Sequence, residues 1–333
     1  MDSPTTVGFP IDLPVVKRAE HWIARAGERE LRLSNLDKVF WPEEGYNKAD
    51  LLTYYLNISP VMLPHLVERP LTMKRMPNGI KGDFFYEKNA PRHKPAWMPT
   101  IPVFSEDTQK TINFLTVHDV AHVLWMVNLG CIEFHPLHAR GTDQKHPSYA
   151  FFDLDPFEPA GWAEVAHVAG LIKVVLDQLG IAAYPKTSGA TGMQIMVPLD
   201  CTLTFGEVRG FVGTISDMVH GVDPQTTTLE WEVRNRSGKV FLDVNMNRSG
   251  ANIAGAYSVR PEPGATVSAP LRWEEMADVH PSDFTIETIF ERVAEVGDPF
   301  LPVAEGPGQS LQEAIEALGA EPRKARVIRT RDR

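Results

Sequence analysis

The run Tyr149-Ala-Phe-Phe-Asp-Leu-Asp155 sits between Pro147 and Pro156, and is short and mostly apolar, the pattern of a buried strand. In a strand, residues two apart share a face, so Asp153 and Asp155 project together while Phe152 and Leu154 turn the other way. Two carboxylates held that close repel, which raises the pKa of one unless a cation sits between them. A third acid ends another apolar run, Val240-Phe-Leu-Asp243. Three Asp side chains with open coordination positions suit Mg²⁺ or Mn²⁺ bridging nucleotide phosphates. Taken alone, an Asp-x-Asp is more often a solvated strand end.

Other residues could serve the same chemistry. Lys186-Thr-Ser-Gly-Ala-Thr-Gly192 has two glycines that permit a turn whose amides converge on an anion, although the P-loop spacing is absent and an ordinary turn explains it as well. Between Arg69 and Lys94 lie seven basic and two acidic residues, a local balance of +5 in a chain of net charge −10. Phe84 and Phe85 fall inside that stretch, and aromatics beside basic residues are the ingredients of base stacking with phosphate neutralisation. One Phe anchoring the loop is the plainer reading. His118 and His122 are four apart on an expected helix, but no third ligand accompanies them, so they read as structural. His135, ending an apolar strand, reads alone as a core histidine.

These groups need a scaffold, and the 333 residues suffice for one to three domains with conventional cores. With 33 Lys+Arg against 43 Asp+Glu, the chain is not coated in positive charge, so nucleic-acid binding depends on local clusters. No run approaches the ~20 apolar residues that cross a bilayer, which argues against a membrane protein. The first residues lack the basic and apolar regions of a signal peptide. Cys131 and Cys201, far apart in sequence, fit two core thiols in a reducing cytoplasm.

Arg29 to Phe40 begins as a strand, and Asn47 offers an N-cap for a helix ending before Pro60. Residues 69–103, with six prolines, read as a long surface excursion. A helix is expected over Val117–Leu129, a strand over Cys131–His135, and an amphipathic helix over Ala160–Leu179 closed by Gly180. A strand at Met193–Leu199, a helix at Phe205–Val222 and a strand at Gly238–Val244 follow. Without strict βαβ alternation, the expected class is α+β, with mixed or antiparallel sheets flanked by helices. The expected division is an N-terminal arm at 1–27, a catalytic core at 28–304, and a C-terminal helix and basic tail at 305–333, the last thirteen residues reading as disordered.

In order, these pieces resemble the polymerase domain of bacterial non-homologous end-joining DNA ligases, a branch of the archaeo-eukaryotic primase superfamily. The matching segments are Leu33-Ser-Asn-Leu-Asp-Lys-Val-Phe-Trp-Pro42, Asn47-Lys-Ala-Asp50, Met73-Lys-Arg75, Phe84-Phe85, Ile132-Glu-Phe-His135, Phe151-Phe-Asp-Leu-Asp-Pro156, Lys186-Thr-Ser-Gly189, Val240-Phe-Leu-Asp243 and Tyr257-Ser-Val-Arg260. The resemblance implies a primase-polymerase core and a template-dependent nucleotidyltransferase that extends or fills short gaps at DNA ends. Asp153, Asp155 and Asp243 would be catalytic and would hold two Mn²⁺ or Mg²⁺ ions. By the same resemblance, Lys74, His135, Ser188 and Arg260 would contact the incoming NTP or dNTP. Lys38 and Lys48 would grip a DNA 5′-phosphate, and Phe84 and Phe85 would lie near the paired bases. It further implies a stand-alone member working at the nucleoid beside a separate ATP-dependent DNA ligase and the end-binding protein Ku.

The chain departs from the family pattern in places. Thr191-Gly192-Met193-Gln194 stands where Lys-Gly-x-His is usual, Met246 where a Gln is common, and Gly255-Ala256 where Ala-Pro usually precedes Tyr-Ser. The first two changes remove polar groups near the nucleotide, which keeps open a rival reading as a catalytically weakened, 5′-phosphate-dependent DNA-end binding module. A metal-dependent phosphohydrolase using the same acids is a third.

Overall fold

The computed structural model describes residues 12–18, 21–105 and 108–326, and its architecture is α+β. Strands β1 (Val15–Arg18), β2 (His21–Ala26) and β3 (Arg29–Leu33) form an antiparallel sheet. Part of the expected arm is therefore hydrogen-bonded to the strand that opens the core, while residues 1–11 lie outside the described residues.

The hairpin β4 (Val39–Trp41) and β5 (Tyr46–Asn47) delivers the chain to α1 (Lys48–Leu66). Asn47 caps α1 as expected: its side chain accepts the amides of Ala49 and Asp50, and Asp50 accepts the Asn47 amide in return. The helix does not end before Pro60 but runs through Pro60 and Pro64 to Leu66. An interior proline costs roughly 3 kcal/mol, and a fully buried stripe of Leu51, Leu52, Tyr55, Ile58, Met62 and Leu66 outweighs it.

The expected surface excursion at 69–103 is corrected as well. It contains β6 (Leu71–Arg75), β7 (Phe85–Glu87) and β8 (Thr100–Ser105). With β9 (Lys110–Leu115) and β10 (Cys131–Pro136), reached through α2 (Val120–Asn128), these make a second sheet in the order β10-β6-β9-β8, with β7 also on β6. Leu71, Thr72 and Met73 are buried at its centre. Pro70 and Pro77 lie outside β6, and Pro102 falls in the edge strand β8, where a missing N–H is tolerated.

The third sheet carries the acids. Its order is β12 (Tyr184–Thr187), β13 (Met193–Pro198), β11 (Tyr149–Pro156), β15 (Val240–Leu242) and β14 (Thr227–Thr228). Helices α3 (Trp162–Gln178) and α4 (Phe205–Val222) pack on β11 and on each other. Val165, Val168, Ala169, Ile172 and Leu176 of α3 and Val208, Phe211, Val212, Ile215 and Val219 of α4 supply the buried side. Gly180 closes α3 in the left-handed region, as expected.

Short helices α5 (Ile289–Val296), α6 (Leu301–Glu305) and α7 (Gln312–Leu318) complete the described chain. The start of the basic tail is laid along α4: the Arg323 amide donates to the Gly206 carbonyl (2.9 Å) and the Arg326 amide to Asn245 Oδ1 (2.8 Å). Residues 327–333 lie outside the described residues. Cys131 is buried in β10, whereas Cys201 is exposed in a turn with positive φ, so only one thiol is in the core. Among the described residues no helix is long and apolar enough to cross a membrane.

Candidate active site

Strand β11 lies between β13 and β15, so the end bearing Asp153 and Asp155 is held from both sides. Asp243 follows β15 directly, and its amide donates to the Asp153 carbonyl oxygen (3.1 Å), which extends the β11–β15 pairing by one step. The third acid thus stands beside the first two. Burial pushes the Asp153 carboxyl well above the ordinary range, and the charges of Asp155 and Asp243 push it further. Asp155 is raised to about 6 by burial and by Asp243, against the opposing pull of Arg236 and Arg260. Burial also raises Asp243, against the Asn245 amide and Arg236.

Arg236 was not singled out in the sequence. Its guanidinium lies 3.5 Å from the centroid of the Phe241 ring, and it lends positive charge to Asp155 and Asp243. Among the described residues, no group of three or more His, Cys, Asp or Glu side chains is arranged as a ready metal-binding cluster. Three raised, mutually repelling carboxylates on two adjacent strands nonetheless form a donor set of hard oxygens suited to a divalent cation.

The second sheet supplies a buried anion that gathers basic side chains. Glu133 on β10 is fully buried and takes three partners: Lys74 Nζ on β6 (2.7 Å to Oε1), His135 Nε2 (2.6 Å to Oε2) and Arg260 Nε (3.4 Å to Oε2). Burial pushes the Glu133 carboxyl up, but the His135 bond and the Arg260, His135 and Lys74 charges outweigh it and hold it at about 2. Burial depresses His135, with Glu133 opposing. Lys74, His135 and Arg260, expected to meet at a nucleotide, are therefore gathered on one carboxylate. Sequence reasoning missed Glu133, whose only signal was its place in Ile132-Glu-Phe-His135.

The Ser188–Gly192 turn joins the two groups. Ser188 Oγ accepts the amides of Ala190 (3.1 Å) and Gly192 (3.0 Å), and Arg260 donates to the Ser188 carbonyl (2.6 Å). Gly189 has φ of +72°, and a Cβ there would strike Arg260; a Cβ at Gly192 would strike the Leu154 carbonyl, next to Asp155. Both glycines are thus required by close approach.

Phe84 and Phe85 are not brought together as a pair. Lys74 and Tyr86 are opposite each other across β6 and β7, as are Arg75 and Phe85. Lys74 lies over the Phe84 ring (5.0 Å) and Arg75 over Phe85 (5.1 Å), which follows from strand alternation. Tyr86, not noted in the sequence, is the ring that meets both Phe84 (5.9 Å) and His135 (5.6 Å). All three aromatics are exposed.

Lys38 and Lys48 are neighbours, with the Lys48 amide donating to the Lys38 carbonyl (2.9 Å). Lys38 Nζ is half-exposed and donates to Asn78 Oδ1 (2.6 Å). Lys48 Nζ is buried against the Ser34 carbonyl (2.7 Å) and the Asn128 carbonyl (2.6 Å) and Oδ1 (2.8 Å). Burial, then Lys38 and Arg75, lower its pKa to about 8. His118 and His122 touch each other, and His122 pairs with Asp119, the α2 cap, in keeping with a structural role.

Residues 47–300 match the family described as LigD, primase-polymerase domain. The multifunctional non-homologous end joining protein LigD of Mycolicibacterium smegmatis is 30% identical over 275 residues, covering 82% of this chain and 36% of that protein. The bifunctional LigD of Bacillus subtilis is 30% identical over 288 residues, covering 86% of this chain and 46% of that protein. The chain thus spans less than half the length of these curated relatives. The solved polymerase domain from Mycobacterium tuberculosis Ligase D in complex with DNA superposes with a TM-score of 0.78 at 28% identity, covering 83% of this chain and 99% of that one.

Proposed function

We propose that this chain, which belongs to the LigD primase-polymerase family, is a template-dependent nucleotidyltransferase that extends or fills short gaps at DNA ends. The observation that supports this best is the convergence of Asp153, Asp155 and Asp243 at the junction of β11 and β15, with Arg260 of the Glu133 cluster close enough for its charge to act on Asp155.

In this reading Asp153, Asp155 and Asp243 hold two Mn²⁺ or Mg²⁺ ions. When bound, these supply Lewis acidity at the triphosphate and make the primer 3′-hydroxyl a better nucleophile. Lys74, His135 and Arg260 bind the triphosphate, with Glu133 keeping their side chains together before substrate arrives. Arginine suits that task because its planar fork pairs with two phosphate oxygens at once. Ser188 ties its turn by accepting two amides, which leaves the hydroxyl hydrogen to donate to a phosphate oxygen. Phe84 and Tyr86 offer ring faces and edges to the bases beside His135.

Lys38 is the half-exposed cation for a downstream 5′-phosphate, and Lys48 joins it by exchanging one carbonyl contact for a phosphate oxygen. An ATP-dependent ligase and Ku are the partners that such a gap-filling step would need at a broken end.

The experiment is extension on paired gapped duplexes, one with and one without the 5′-phosphate, supplied with Mn²⁺ and each nucleotide type in turn. Templated incorporation favoured by the phosphate supports the reading. End binding without incorporation would favour a decayed binding module, and release of inorganic phosphate without extension a phosphohydrolase.

A further inference from the structure

Lys186, Gln194 and Asp153 form one row across three strands. Gln194 on β13 is the direct partner of Lys186 on β12 and of Asp153 on β11. Lys186 is fully buried, and its Nζ donates to Gln194 Oε1 (2.8 Å) and Ser268 Oγ (2.6 Å). Gln194, also buried, donates from Nε2 to Asp153 Oδ1 (2.9 Å).

With Lys186 protonated and Asp153 ionised, the state that a cation held by the acids favours, the direction of these bonds is fixed. The Ser268 hydroxyl donates to the Thr187 carbonyl (2.8 Å), which leaves its oxygen to accept from Lys186. The protonated Lys186 ammonium has no lone pair to offer, so the amide oxygen of Gln194 must face it. The amide N–H must then face Asp153. Turning the amide over would set an oxygen against a carboxylate and an N–H against an amine, two unpaired contacts in a buried place.

We propose that Gln194 is a positioning residue for the first carboxylate: set by Lys186, it engages Asp153 Oδ1 and leaves Oδ2 as the oxygen available to a divalent cation. The proposal rests on the reading of Asp153 as a metal-binding residue. It gives Gln194, one of the chain's departures from the family pattern, a task of its own rather than treating it as a lost nucleotide contact.

The test is Mn²⁺ binding to the full chain without nucleotide, followed by electron paramagnetic resonance of the free ion. Gln194→Met, similar in volume but without hydrogen-bonding groups, is expected to weaken Mn²⁺ binding about tenfold, the worth of a charge-assisted bond. Lys186→Met should weaken binding too, since its charge acts on Asp153 directly as well as through Gln194, and the double variant should lose less than the two single losses combined, because part of each runs through the same bond. Primer extension by Gln194→Met should recover as Mn²⁺ is raised, which a misfolded site would not do. Should Gln194→Met melt early, Gln194→Asn, which keeps the amide but is too short to reach, carries the same expectation. Parental Mn²⁺ affinity in Gln194→Met, or additive losses in the double variant, would overturn the proposal alone. No Mn²⁺ uptake by the parent protein would instead remove the metal reading beneath it.

Discussion

The backbone amide of Asp243 donates to the backbone carbonyl of Asp153 over 3.1 Å. This bond fixes the distance between two acids ninety residues apart in sequence without using either side chain; separately, Asp153 Oδ1 accepts from Gln194 (2.9 Å) and Asp243 Oδ1 from the Asn245 amide (3.0 Å). It also explains why the third acid belongs to the site although β15 has only three residues: the register with β11 sets its position.

Removing the Glu133 charge should scatter the basic side chains that it gathers. Glu133→Gln leaves Lys74, His135 and Arg260 without their shared anion, and the KM for nucleotide is expected to rise about tenfold with a smaller change in kcat. Steady-state extension against nucleotide concentration measures this.

The same residue makes a prediction about acid stability. The folded-state pKa of Glu133 is about 2 against an ordinary 4.5, so its contribution is fully present above pH 4.5 and is lost as the pH falls from there toward 2. Urea melts should show Glu133→Gln less stable than the parent by about 2–3 kcal/mol at pH 7. That gap should narrow as the pH drops below 4.5; a constant gap would show that the charge is not what stabilises.

The ring faces of β7 separate two roles. Tyr86→Ala should raise the nucleotide KM by about five- to thirtyfold, the loss of one stacking contact. Phe85→Ala, on the face with Arg75, should change it much less, and equal effects would contradict the assignment of faces.

Lys38→Ala should remove much of the preference for a gap bearing a 5′-phosphate, about three- to tenfold, and flatten the salt dependence of binding by roughly one counterion. Binding to gapped duplexes with and without the phosphate, measured across a salt series, checks it.

The sequence revealed those parts of the fold that are periodic or capped. The Asn47 cap, α3 with its closing Gly180, α4 and the strand bearing Asp153 and Asp155 were all legible, because local spacing and burial agree there. Helix α1 was cut short because a proline signals a break locally, while the buried stripe that carries the helix past it is tertiary. Strand β6 was missed because five residues between two prolines show no period. In the site, the three acids and the cations were visible as residue types. What joins them was not: Glu133 shows its role only once Lys74 and Arg260 arrive from other elements, and Tyr86 only once strand alternation assigns its face.

The most direct measurement is Mn²⁺-dependent extension of a primer across a gap by the parent protein and by Asp153→Ala and Asp243→Ala, with circular dichroism confirming that each variant is folded. Each substitution should lower extension by more than about a hundredfold, as expected for losing transition-state charge stabilisation. Extension by both folded variants at the parental rate would contradict the claim that these acids carry the chemistry.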